Sequence, residues 1–216
     1  MAWDVKAGDA VFVSSFTFVA SAECVAIVGA TPIFVDSDPN TFNMDPKDLE
    51  KAIANVKKEG KLNLKAVIAV DIFGNPANYD EIMKIAHSNG MKVLADSAQS
   101  YGSEYHGKRA GNIADMTATS FYPTKPLAGY GDGGAVFTNN VAENDLVKSC
   151  RVHGMSPEDH YDNVRLGMTG RMNSFQGAVL LQKLTVFDKE LEERCRVAKR
   201  YDSELSEYFG KQKILE

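Results

Sequence analysis

Six short β-rich runs recur along the chain: Val11 to Val13, Pro32 to Val35, Ala66 to Val70, Lys92 to Ala95, Met116 to Phe121 and Ala135 to Phe137. Ala66-Val-Ile-Ala-Val70 constrains the fold most. It is continuously apolar and does not alternate, which marks a strand covered on both faces. Helical patterns fill most of the gaps. Thr17 to Val28 ends at Gly29. Asp45-Pro46 reads as an N-cap with proline at the first helical position, and Gly60 closes that helix. Asn78 to Asn89 stops at Gly90, and a further helix runs from about Val141 to Val152. Strands alternating with helices predict an α/β domain: a mostly parallel sheet flanked by helices. Ligands of such sheets bind beyond the carboxyl ends of the strands, so the polar residues there are the candidates for chemistry.

Residues 154 to 172 are polar and irregular. A long amphipathic helix is expected from Asn173, with Gln176 as its capping-box partner. Leu180, Leu184, Phe187, Leu191, Cys195 and Ala198 recur at spacings of three and four, and the stripe continues to Tyr208. It reads as packing surface, and Gly210 is expected to end it. Composition narrows the partners. The net charge of −5, with no basic run longer than a pair, argues against nucleic acid or an anionic membrane. Cys24, Cys150 and Cys195 are widely spaced, so reduced thiols in a cytoplasmic protein fit better than a disulfide framework or a metal site. No apolar run approaches a membrane span.

Three positions combine strand ends with reactive groups. Asp96 closes the run Lys92-Val-Leu-Ala and is followed by Ser-Ala-Gln99. Ser120 closes Asp115-Met-Thr-Ala-Thr. Lys125 follows a proline-marked turn and precedes the glycine-rich stretch to Gly134. A lysine amine in a site that excludes water can lose its proton and attack a carbonyl. A carboxylate, a hydroxyl and such an amine suit pyridoxal phosphate, with the carboxylate facing the pyridinium nitrogen. Taken singly, each has a plainer reading. Lys125 fits a solvated loop, Asp96 a helix N-cap, Ser120 a strand-end cap, Gln99 a surface residue and Phe18 a core aromatic.

Four stretches in order resemble the sugar aminotransferases of the DegT/DnrJ/EryC1/StrS family: Val13-Ser-Ser-Phe-Thr-Phe18-Val-Ala, Ala30-Thr-Pro-Ile-Phe-Val-Asp36, Ala95-Asp96-Ser-Ala-Gln99-Ser, and Ser120-Phe-Tyr-Pro-Thr-Lys125-Pro-Leu with Gly131-Asp-Gly-Gly134. Gly170-Arg171-Met-Asn-Ser-Phe-Gln176 is similar to the segment that opens the family's long helix. The resemblance implies the large-domain core of the fold-type I aminotransferase fold, pyridoxal 5'-phosphate as cofactor, a homodimer, and transfer of an amino group from a donor such as glutamate to a nucleotide-linked keto-sugar. It implies that Lys125 is the Schiff-base and proton-moving lysine and Asp96 the pyridinium partner. Gln99 would hydrogen-bond the ring hydroxyl and Ser120 the phosphate, while Phe18 and Ala98 would flank the ring. Arg171 reads as a candidate for a substrate carboxylate or phosphate, or equally as a surface arginine. His153 and His160, near it, read as solvent-exposed.

The resemblance also implies segments beyond this chain. A phosphate-binding loop is expected before Met1 and a small domain after Glu216. Residues 1–172 are thus expected to be an incomplete cofactor-binding domain, and residues 173–216 a helix leading toward the small domain. Thr169 stands where an asparagine that reaches a neighbouring subunit's cofactor is common. An alternative follows from these departures: a truncated remnant that keeps the fold and holds no cofactor. A dehydratase reading would need histidine in place of Lys125.

Overall fold

The computed structural model describes residues 1–209. Eight strands are present: β1 (Asp9–Ser14), β2 (Thr31–Val35), β3 (Asn63–Val70), β4 (Lys92–Asp96), β5 (Glu104–Tyr105), β6 (Lys108–Arg109), β7 (Met116–Ser120) and β8 (Gly134–Phe137). The helices are α1 (Ala20–Ile27), α2 (Pro46–Glu59), α3 (Tyr79–Ser88), α4 (Val141–Arg151), α5 (Ser174–Leu184) and α6 (Phe187–Phe209). Six strands form one sheet in the order β2-β1-β3-β4-β7-β8. All neighbours are parallel except β7 and β8. The two-residue strands β5 and β6 pair in a separate hairpin that apolar periodicity had no means of showing.

Successive side chains of a strand point to opposite faces, and the central strands feed two cores accordingly. Phe12, Val67 and Ala69 join Leu49 and Ile53 of α2 and Ile82 of α3. Val11, Val13, Ala66 and Ile68 join Val25 of α1. Each fully buried Leu, Ile or Phe contributes about 1.5–3 kcal/mol, which is why the central runs carry no polar residue. Local signals hold where caps were expected. Asp45 accepts from the Lys47 amide at the start of α2, and Gly60 ends it with φ +64°. Asn78, read from the sequence as the first residue of its helix, stands one position before α3 and caps it by accepting from the Glu81 amide.

The C-terminal stripe is shared between two helices, with a turn at Thr185 and Val186. The long amphipathic helix is α6. Leu180 and Phe187 are buried with Phe121 and Leu127, and Leu191 packs on them. Beyond that point the stripe is open: Cys195 and Tyr201 are exposed. Gly210 lies outside the described residues, as does the side chain of Tyr208. Gln176 does not complete a capping box. Asn173 caps the Phe175 amide, while Gln176 Oε1 accepts from the Tyr130 amide at 2.7 Å. A capping box needs a free carboxamide reaching backwards, and this one is held by the glycine-rich loop. A Cβ on Gly129 would stand 2.8 Å from that same oxygen, so a larger residue there would require the Gln176 carboxamide to shift. Among the described residues no helix is long and apolar enough to cross a membrane.

Candidate active site

Adjacent parallel strands bring two of the predicted residues, Asp96 and Ser120, to the carboxyl end of the sheet. Asp96 is the last residue of β4, and Ser120 the last residue of the neighbouring β7. Both carboxylate oxygens of Asp96 are engaged. Oδ2 accepts from the Ser21 hydroxyl at 2.7 Å, and Oδ1 from the Ala98 amide at 3.2 Å. Ser21 is itself buried in the first turn of α1 and is bonded to the Thr17 hydroxyl at 2.8 Å. The Val13-to-Ala20 stretch thus reaches Asp96 through Thr17, whose hydroxyl bonds Ser21. Phe18 is 73% exposed, so it is not a core aromatic. Ala98 is half-buried beside Asp96.

Gln99 is fixed in one sense. Its Oε1 accepts from the Phe73 amide at 2.8 Å. An N–H can only face the oxygen end of a carboxamide, so the NH2 end is the one left to donate. Ser120 Oγ accepts from the Tyr122 amide at 3.2 Å, which leaves its hydroxyl hydrogen for another acceptor. Lys125 ends the turn Tyr122-Pro123-Thr124-Lys125, closed by its own amide on the Tyr122 carbonyl at 2.9 Å. Pro123 presets that turn. Among the described residues the Lys125 side chain, half-buried, makes no ion pair or hydrogen bond. Arg171 is exposed and likewise without an ion pair among them, and His160 is exposed. His153 lies at φ +64° with Nε2 2.9 Å from the Thr169 hydroxyl, so these two residues engage each other.

Two features of this end of the sheet escaped the sequence reading. The first is Asp71, which follows β3. It is fully buried and accepts four hydrogen bonds: from Tyr79 at 2.6 Å, the Ala77 amide at 3.1 Å, Ser97 at 2.9 Å and Ser100 at 2.6 Å. Burial pushes its carboxyl above the ordinary range against the pull of those donors. Burial, then the Asp71 charge, pushes the Tyr79 phenol well above 10.0. A signal existed: an acid directly after Ala66-Val-Ile-Ala-Val70 repeats the pattern that singles out Asp96. The second is a cluster of half-exposed rings, Phe16, Phe42 and Phe73, with centroids 5.7–5.9 Å apart. Phe42 and Phe73 take φ of +61° and +59°. Nothing in the sequence announces such a backbone for phenylalanine.

A mostly parallel six-stranded sheet flanked by helices is the fold of the aminotransferases whose solved structures the chain superposes on. The chain belongs to the DegT/DnrJ/EryC1/StrS aminotransferase family, whose model matches residues 1–215. It is 42% identical over 207 residues to the UDP-2-acetamido-2-deoxy-3-oxo-D-glucuronate aminotransferase of Pseudomonas aeruginosa, covering 96% of this chain and 55% of that protein. It is 36% identical over 179 residues to a UDP-N-acetyl-3-dehydro-alpha-D-glucosamine 3-aminotransferase of Acidithiobacillus ferrooxidans, covering 83% and 46%. A family aminotransferase from Brucella abortus superposes with a TM-score of 0.93 at 48% identity, covering 96% and 55%. DesV of S. venezuelae gives 0.87 at 32%, covering 95% and 53%. The chain spans about half the length of the relatives it matches.

Proposed function

We propose that the chain serves pyridoxal-phosphate-dependent transfer of an amino group, from a donor such as glutamate, to a nucleotide-linked keto-sugar. The observation that carries the reading is Asp96 and Ser120 at the ends of neighbouring strands, with Lys125 in the turn that follows. The donor set suits the cofactor. Each Asp96 oxygen accepts one hydrogen bond and keeps a lone pair for a ring N–H. The free NH2 of Gln99 is a donor, as the phenolic oxygen of the ring requires. The spare hydroxyl hydrogen of Ser120 suits a phosphate oxygen.

Pyridoxal phosphate, when bound, supplies an electron sink for the pair left on a deprotonated substrate carbon. The carboxylate of Asp96 keeps the ring nitrogen protonated. Lys125 Nζ would hold the cofactor through its aldehyde carbon until the donor's amine displaces it there, and the freed amine would then take the proton from the donor's α-carbon and return it to the cofactor carbon on the other side of the shared nitrogen. For the second half-reaction the same amine moves the proton in the opposite direction. The first acceptors to test are UDP-linked 3-keto-sugars, since two relatives of 42% and 36% identity carry such substrates in their names. A homodimer working in the cytoplasm is part of the same proposal.

The test is titration of the purified chain with pyridoxal phosphate. A visible absorption band that saturates stoichiometrically and is lost in Lys125→Ala is the expected result. A wild-type chain that is folded by circular dichroism and shows no band would instead be the remnant that keeps the fold and holds no cofactor.

A further inference from the structure

We infer that Asp71, which touches none of the proposed cofactor contacts through its side chain, is the positioning residue that fixes the Asp96–Gln99 loop and aims the Gln99 carboxamide. The inference rests on the reading of Asp96 and Gln99 as cofactor contacts.

The carboxylate has two ends with two jobs. Oδ2 takes the hydroxyls of Ser97 and Ser100, which bracket Ala98 and Gln99. Oδ1 takes the Ala77 amide and the Tyr79 hydroxyl, which end the turn through Phe73. The Asp71 amide donates to the Asp96 carbonyl at 3.1 Å. One buried group therefore ties two loops together, and the bond between those loops is Phe73 N–H to Gln99 Oε1. Asn43 clamps the same turn from outside. Its Oδ1 accepts from the Ile72 amide at 3.2 Å, and its Nδ2 donates to the Asn75 carbonyl at 3.1 Å. A Cβ added at Gly74 would stand 3.0 Å from the Gln99 carbonyl oxygen, so the two loops approach closely there. A carboxylate suits this place because it only accepts, and all four neighbours can donate. Alanine would leave two hydroxyls, a phenol and an amide without their partner in a site closed to water. Asparagine can keep the tie, since both serines can turn to accept from its NH2.

The test compares wild type, Asp71→Ala, Asp71→Asn and Ser100→Ala, held well below their melting temperatures. Hydrogen exchange of the unliganded chain is measured together with the affinity for pyridoxal phosphate and the position of the visible band. Faster exchange confined to residues 71–77 and 97–100 in Asp71→Ala, with affinity weakened about tenfold and a shifted band, supports the inference. Recovery of all three readouts in Asp71→Asn supports it further. Should Asp71→Ala fail to fold, Ser100→Ala removes one tie and leaves three, and a smaller effect at the same segments is expected. Wild-type exchange, affinity and band in either folded variant would overturn it, as would faster exchange spread evenly over the sheet. If wild type itself binds no cofactor, the functional reading fails, and exchange in the unliganded chain still decides whether Asp71 holds the loops.

Discussion

Tyr79→Phe should destabilise the chain near neutral pH and lose most of that penalty in alkali. The phenol donates to Asp71 at 2.6 Å, and both residues are almost completely buried. Removing the hydroxyl leaves that carboxylate oxygen with the Ala77 amide alone. A buried hydrogen bond to a charged acceptor is worth about 1.5–3 kcal/mol, so a loss of about 2 kcal/mol is expected at pH 7. The pH dependence follows from the phenol's raised pKa, which burial and then the Asp71 charge hold well above 10.0 in the fold. In the unfolded chain the phenol ionises near pH 10, while in the fold it stays protonated. The bond is therefore fully present below about pH 10 and weakens relative to the unfolded state by about 1.4 kcal/mol for each further pH unit. At pH 11 the gap between the two proteins should shrink to about 0.6 kcal/mol. The assay is urea unfolding followed by circular dichroism, with the midpoint shifting and the slope unchanged. A shift under about 0.5 kcal/mol at pH 7 would refute the charge-assisted bond. A gap that stays constant up to pH 11 would refute the protonated phenol.

Other substitutions separate binding from folding. Ser120→Ala is expected to weaken pyridoxal phosphate about tenfold and leave phosphate-free pyridoxal unaffected, as absorbance titrations of both would show. Gly74→Ala combines φ +83° with a Cβ 3.0 Å from the Gln99 carbonyl. A loss of about 1–2 kcal/mol in thermal melts is expected, with weaker cofactor binding because Gln99 moves. Asp45→Ala removes only the cap of α2, so melting should show a loss of about 1 kcal/mol and titration an unchanged cofactor affinity.

Legibility in the sequence followed the range of the interactions. Ala66 to Val70 and the run ending at Asp96 announce buried parallel strands, because burial on both faces writes itself into consecutive residues. Caps at Asp45 and Gly60 were legible for the same reason: their physics spans four residues. The division of the C-terminal stripe at Thr185 was not, since the apolar spacing runs on across the turn. Gln176 shows the opposite failure. Its spacing from Asn173 satisfied a local rule, but Tyr130, 46 positions away, holds its carboxamide. At the candidate site, Asp96, Gln99, Ser120 and Lys125 could be named because motif order carried them. Ser21, Asn43 and Asp71 support them from 26 to 75 positions away. Side-chain ties of that reach leave no periodicity, and the left-handed backbone of Phe42 and Phe73 leaves no residue-type signal.

The account stands on Lys125 as the single amine that takes the cofactor. Borohydride reduction of the chain with pyridoxal phosphate, followed by peptide mass mapping, tests this directly. One pyridoxyl group on the peptide containing Lys125, absent from Lys125→Ala, is the predicted outcome. Label spread over surface lysines, or undiminished in Lys125→Ala, would contradict it.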